Sequence, residues 1–215
     1  ISALVLLLYY AGLSGLKGFL SRLLLWRCSL VWVAFVLIGI PLVYAIGSLI
    51  KSGPLLAPLP PQGMGASIGL LFMMLFLCPI EEFGWRGLAL PLLQRKFAPL
   101  WAGMILGAIW GLWHLPAFLL SGTQQSEWSF TAFFAGCLAI SVIATALFNQ
   151  SHGSILLSAL FHFSLMNPVF PDAQPYDTYL LIVVAALIVL RKRKDMFTRE
   201  GAVVEVIPHE KASDG

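Results

Sequence analysis

The feature that most limits what this chain can become is a succession of long apolar runs. They fall at 1–13, 29–50, 66–94, 99–120, 129–149, 153–167 and 178–190. A helix crossing a bilayer needs about 20 residues, mostly apolar, and most of these runs approach that length. Inside lipid every backbone N–H and C=O must be paired within the structure, so only helices or closed barrels can span it. A barrel wall would show strict alternation of apolar and polar residues, and the runs show none. Composition agrees, with 59% hydrophobic and 11% charged residues, against about 25% charged in an ordinary soluble domain. The expected fold is therefore all-α, a polytopic transmembrane helical bundle of about seven spans. The run at 1–13 is too short to cross and is read as the end of a truncated first helix. It lacks a basic segment and a small-residue cleavage site, so it is not read as a signal peptide.

The segments between the runs sort by charge. One set carries Lys17, Arg22 and Arg27, then Arg95 and Lys96, then Arg191, Lys192, Arg193 and Lys194. The alternate set, 51–64, 121–128 and 171–177, holds a single basic residue, Lys51. This regular alternation is what the positive-inside rule expects of one consistent topology. It places the basic loops and the C-terminus in the cytoplasm of a cell, a bacterial one by its style. The expected domains are a transmembrane unit over 1–194 and a polar, loosely ordered cytoplasmic tail over 195–215. Segment 14–28 reads as a short interfacial helix whose Lys17, Arg22 and Arg27 face lipid head groups. Cys28, Cys78 and Cys137 show neither CxxC spacing nor a neighbouring His, so they read as small buried hydrophobes. Nothing in the pattern points to nucleic acid, and the partners expected are lipid and a peptide or protein substrate.

Ionisable residues inside a span cost about 2.5–3.5 kcal/mol each at mid-helix on insertion scales, so each marks a functional hypothesis. Five occur: Glu81, Glu82, Arg86, His114 and His162. Counted from the basic ends of their helices at 1.5 Å per residue, Glu81 lies ~21 Å in, His114 ~23 Å and His162 ~14 Å. Three helices thus bring a carboxylate pair and two imidazoles to similar depths. Glu82 and Arg86 stand at i,i+4 and can pair on one face, which leaves Glu81 the freer carboxylate. Pro79 is positioned to kink the helix, and Gly84 and Gly87 permit close approach of a neighbour. Trp110 sits one turn before His114 on the fourth helix.

A carboxylate held away from bulk water can act as general base on a water molecule. A second polar group can then stabilise a tetrahedral oxyanion. Together these hydrolyse a peptide bond without a covalent intermediate. The same Glu and His set could also hold zinc through mixed N and O ligands, although no HExxH helix is present. The carboxylates could instead form the proton relay of a transporter, but the chain lacks the internal repeat such folds carry.

Residues 81–86, Glu-Glu-Phe-Gly-Trp-Arg, match the EExxxR motif of the CAAX-protease and bacteriocin-processing family of intramembrane endopeptidases. Residues 110–116, Trp-Gly-Leu-Trp-His-Leu-Pro, resemble its second motif, an aromatic four residues before His. Phe161-His162 with Asn167 resembles the third, and the similar region runs over about 65–170. The resemblance implies that Glu81 activates water with help from His114, and that His162 and Asn167 stabilise the oxyanion. Glu82, Arg86 and Trp110 would support them. It implies a membrane-associated or prenylated, CAAX-like substrate, and a glutamate mechanism requiring no cofactor. If a divalent metal such as zinc is used, Glu81, His114 and His162 are its candidate ligands. Two departures stand out. The family's Asn follows its last His by four residues, whereas here position four is Met166 and Asn167 is at five. On a regular helix Asn167 would point ~140° away from His162, unless Pro168 ends the helix there. The second is Trp110 itself, where Phe is common. A non-catalytic immunity or scaffold protein of the same fold is a further alternative.

Overall fold

The computed structural model describes residues 2–59 and 63–208, apart from the side chains of Cys78 and Pro79. Among them the chain is helical throughout: α1 (Ser2–Leu20, running on as a tighter turn, Ser21–Leu23), α2 (Leu30–Ile50), α3 (Met64–Gln94), α4 (Pro99–Leu119), α5 (Phe130–Gln150), α6 (Ile155–Leu165), α7 (Tyr176–Arg191) and a short α8 (Arg193–Phe197). The first five are long and apolar enough to cross a membrane. The protein is thus an integral membrane, polytopic helical bundle.

Two elements differ in length from their apolar runs. Helix α6 has only 11 residues. Ser154 starts it by accepting the Leu157 N–H at 3.0 Å, and Pro168, which disfavours helix at the preceding residue, follows close on its end. The first helix differs in the other direction. Helix α1 continues past residue 13, bending at Gly12, whose φ of 64° suits only glycine readily. Segment 14–28 is therefore not a separate interfacial helix.

Helix α5 is the centre of the bundle. Eleven of its residues are buried, and it packs most extensively on α4 and α7, while α6 lies against α3. The α4–α5 contact is close because Gly103, Gly107 and Gly111 present no side chain to it. A Cβ on Gly107 would stand 2.8 Å from the Cys137 carbonyl oxygen and 2.9 Å from the Leu138 Cα. Of the two glycines that follow the glutamates on α3, the space beside Gly87 is filled by Phe19 and Ile155, whereas Gly84 has nothing within 4 Å.

Two wide turns interrupt the long helices, at Phe35–Gly39 and Trp85–Ala89, where the Ile40 and Leu90 N–H groups reach back to the Phe35 and Trp85 carbonyls. Each comes just before a proline, Pro41 or Pro91. A proline ring crowds the carbonyl four residues back and offers it no N–H. Widening the preceding turn by one residue accommodates both effects. The α geometry of Met64–Gly84 runs unbroken through position 79, so the irregular turn falls after the glutamates and not before them.

The two ends of the bundle keep the loop sets apart. Lys51 pairs with Asp172 at 2.7 Å and the Ala57 N–H bonds to the Val169 carbonyl, joining two of the poorly basic loops. At the other end Arg22 is buried, 2% exposed, and does not face head groups. Its guanidinium donates to the carbonyls of Gly153 (3.0 Å), Glu205 (2.5 Å) and Val206 (3.1 Å). Gly153, at φ +85°, admits it, since a Cβ there would collide with the guanidinium. The tail through residue 208 is correspondingly docked, not loose. The Val203 carbonyl accepts from Gln94 at 2.8 Å and its N–H donates to Asn149 at 3.1 Å. Val203, Val206 and Ile207 pack on the cluster of Leu7, Phe19, Leu90 and Ile155. His209 lies outside the described residues. Cys137 is buried and Cys28 half-buried.

Candidate active site

The site forms where α3, α4 and α6 meet beside α5. Glu82, 1% exposed, anchors it. Its Oε1 accepts from the Arg86 guanidinium at 2.8 Å and from His162 Nδ1 at 2.8 Å. The i,i+4 pairing of Glu82 and Arg86 is what helical spacing dictates. The bond to His162 spans 80 positions of sequence and depends on α6 lying against α3. Both carboxylate partners are buried, with side-chain exposures of 3% for Arg86 and 7% for His162.

Trp110 fills the middle. Its ring lies 5.4 Å from the Arg86 guanidinium carbon, and its centroid is 5.5 Å from the His114 ring and 5.4 Å from the His162 ring. It is the group that joins the two imidazoles. His114 sits at the point where α4 breaks before Pro116. Its own N–H turns to the Gly111 carbonyl at 3.2 Å, and its Nδ1 bonds the Trp110 carbonyl at 2.9 Å. A carbonyl can only accept, so Nδ1 carries the proton and Nε2 of a neutral ring presents a lone pair. The same logic applies to His162, whose Nδ1 donates to the Glu82 carboxylate. Aromatic rings of Trp113 and Phe133 flank His114 at 4.9 and 5.1 Å and hold it in place.

Glu82, Arg86, Trp110, Ile140, Phe161, His162 and Leu165 line a narrow crevice too tight to admit a water molecule. Substrate entry must therefore widen it. Among the described residues five buried side-chain polar atoms lack a hydrogen-bond partner: Glu81 Oε2, Glu82 Oε2, Arg86 Nε, Trp110 Nε1 and Ser141 Oγ. The first four belong to this site. Buried polar atoms left unpaired cost about 1–3 kcal/mol each, so their concentration here marks a place built to meet something else.

Of the residues singled out from sequence, Glu82, Arg86, Trp110, His114 and His162 are linked by the contacts above, and Glu81, half-buried, adjoins them on α3. Asn167 lies in the loop beyond α6, where its Oδ1 accepts the Val169 N–H at 3.0 Å. Among the described residues no three His, Cys, Asp or Glu side chains gather closely enough to hold a metal ion. Glu81, His114 and His162 do not form a ligand cluster in this arrangement. Sequence reasoning missed the Glu82–His162 bond and the position of Trp110 between the histidines.

Comparison with known proteins bears on the same region. The family model "Type II CAAX prenyl endopeptidase Rce1-like" matches residues 63–167. The CAAX prenyl protease 2 of Methanococcus maripaludis is 30% identical over 145 residues, covering 62% of this chain and 54% of the relative. The chain thus spans about half the length of the curated relative it matches. The matched segment begins with α3 and ends just past α6, enclosing every residue of the site, and over this segment the chain is similar to the Rce1-like type II CAAX prenyl endopeptidases.

Proposed function

We propose that the protein is an intramembrane endopeptidase that hydrolyses a peptide bond near the end of a membrane-associated, prenylated or CAAX-like substrate. The observation that carries this is the division of labour within the glutamate pair. Glu82 Oε1 is held by Arg86 and His162 and only its Oε2 is unpaired, whereas Glu81, whose buried Oε2 is likewise without a partner, makes no ion pair among the described residues. A committed carboxylate organises a site, and an uncommitted one can take a proton.

In this reading Glu81 removes a proton from water as the oxygen attacks the carbonyl carbon. The C–O bond forms, and the carbonyl π electrons move to oxygen. His114, with Nδ1 fixed on Trp110, offers its Nε2 lone pair to help orient the water. His162, oriented by the Glu82 carboxylate at Nδ1, stabilises the oxyanion from Nε2 when that nitrogen also carries a proton. Collapse breaks the C–N bond, and the proton held by Glu81 passes to the leaving amine. Asn167 joins the oxyanion donors if substrate draws the loop after α6 inward. The basic end, with the tail, faces the cytoplasm, as the loop charges suggest.

The test is reconstitution in lipid vesicles with a farnesylated CAAX peptide and its unprenylated counterpart. Wild type should cleave the lipidated peptide preferentially. Glu81→Gln, nearly isosteric, should lower kcat by about 10²–10⁴ with an unchanged melting temperature. Equal cleavage by Glu81→Gln would remove that residue from the mechanism. Absence of cleavage by wild type, alongside proton flux abolished by Glu82→Gln, would favour a transporter.

A further inference from the structure

We infer that Trp110 is itself a catalytic residue, whose indole N–H donates a hydrogen bond to the carbonyl oxygen of the scissile peptide as that oxygen becomes anionic. The inference rests on the endopeptidase reading above and assigns a role to a side chain otherwise regarded as packing.

Four observations carry it. Trp110 is 6% exposed and lines the crevice. Its Nε1 is buried without a partner, although a buried indole N–H ordinarily finds one. Its ring touches both histidines and Arg86, so the indole lies within the site. Finally, the histidines have each committed Nδ1 as donor, His114 to the Trp110 carbonyl and His162 to Glu82. A neutral imidazole in that state offers a lone pair at Nε2 and donates nothing further. An oxyanion needs donors, and the indole N–H donates at every pH.

The crevice is also chemically complementary to a peptide group. Its lining residues carry two unpaired buried donors, Arg86 Nε and Trp110 Nε1, and one unpaired buried acceptor, Glu82 Oε2. A peptide unit brings a carbonyl for the donors and an N–H for the acceptor. When water adds to the carbonyl carbon, the displaced π electrons settle on the oxygen that accepts from the indole. The bond therefore strengthens in the transition state, which is the condition for it to raise kcat. Packing alone would need an aromatic ring at this position but no N–H.

The experiment compares wild type, Trp110→Phe and Trp101→Phe in vesicles with the lipidated peptide. Trp101 lies on the same helix and is 51% exposed, so its substitution controls for loss of a tryptophan. Phe at 110 retains a ring against Arg86 and the histidines but has no N–H. We expect kcat to fall at least about tenfold with KM nearly unchanged, and Trp101→Phe to match wild type. Binding of a phosphonate analogue of the tetrahedral state should weaken by the same factor as kcat. In protein carrying ¹⁵N-labelled tryptophan, one indole N–H resonance, absent from Trp110→Phe, should move downfield when the analogue binds. A Trp110→Phe enzyme with wild-type kcat and wild-type analogue affinity overturns the inference while leaving the role of Glu81 intact. A lower melting temperature without change in the kcat of folded enzyme also overturns it and makes Trp110 structural. If wild type cleaves nothing, the endopeptidase reading itself fails, and the inference with it.

Discussion

Two adjacent glutamates on one helix have opposite relations to their surroundings, and their substitutions should differ accordingly. Glu82 is the partner of a buried guanidinium, and removing it leaves Arg86 charged with no counterion. Breaking a buried pair from one side costs about 3–5 kcal/mol. Glu82→Ala should therefore lower stability in detergent by about that amount and abolish activity as well. Among the described residues Glu81 has no ion pair, so Glu81→Ala should remove activity at small cost in stability. Thermal unfolding of both variants, followed beside activity, checks the distinction. Equal destabilisation would mean that the two carboxylates share Arg86 in solution. The sequence carried half of this contrast. The i,i+4 spacing announced the Glu82–Arg86 pair, because helical geometry is local. The third member, His162, was legible only as a polar residue at comparable depth, since the bond depends on how α6 is laid against α3.

At the scale of elements, α4 and α5 form the closest contact in the bundle, and it is made by three glycines at intervals of four. In lipid, helices gain no hydrophobic driving force from meeting, so close backbone approach and dispersion hold them together. A Cβ at Gly107 would press on backbone atoms of Cys137 and Leu138, which cannot rotate aside as a side chain could. Gly107→Ala should destabilise by about 1–3 kcal/mol, and Gly107→Val by more. The same helix carries Trp110 and His114 one and two turns further on, so the displacement should also lower kcat. Gly65→Ala, where a Cβ meets nothing within 4 Å, should do neither. The apolar runs predicted that these helices exist, because length and hydropathy are properties of single segments. Which faces meet is encoded in where the small residues fall. The wide turn at Trp85–Ala89 is likewise written in the sequence as Pro91, whereas Pro79 leaves the helix regular.

Across the whole molecule, Arg22 inverts the usual reading of a basic residue near the end of a membrane helix. Such a side chain ordinarily reaches for head groups, and no local pattern marks an exception. Its carbonyl partners lie 131 to 184 positions away, so only the assembled bundle reveals it. With Gln94 and Asn149 it fastens residues 203–207 to the end of α1, to α3 and to the end of α5 beside the α5–α6 turn. Hydrogen bonds from a charged donor contribute about 1.5–3 kcal/mol each, and side-chain loss removes several at once. Arg22→Met, which keeps the apolar stem, should lower stability by about 3 kcal/mol, and deletion of residues 202–215 by a similar amount. The two act through the same bonds to Glu205 and Val206, so their combination should cost less than the sum. Arg22→Met in the shortened chain should retain only the part owed to Gly153. Unfolding of the four proteins of this cycle in one detergent measures the coupling. Strictly additive effects would mean that the tail and Arg22 stabilise the bundle separately, and that the strap does not close through the guanidinium.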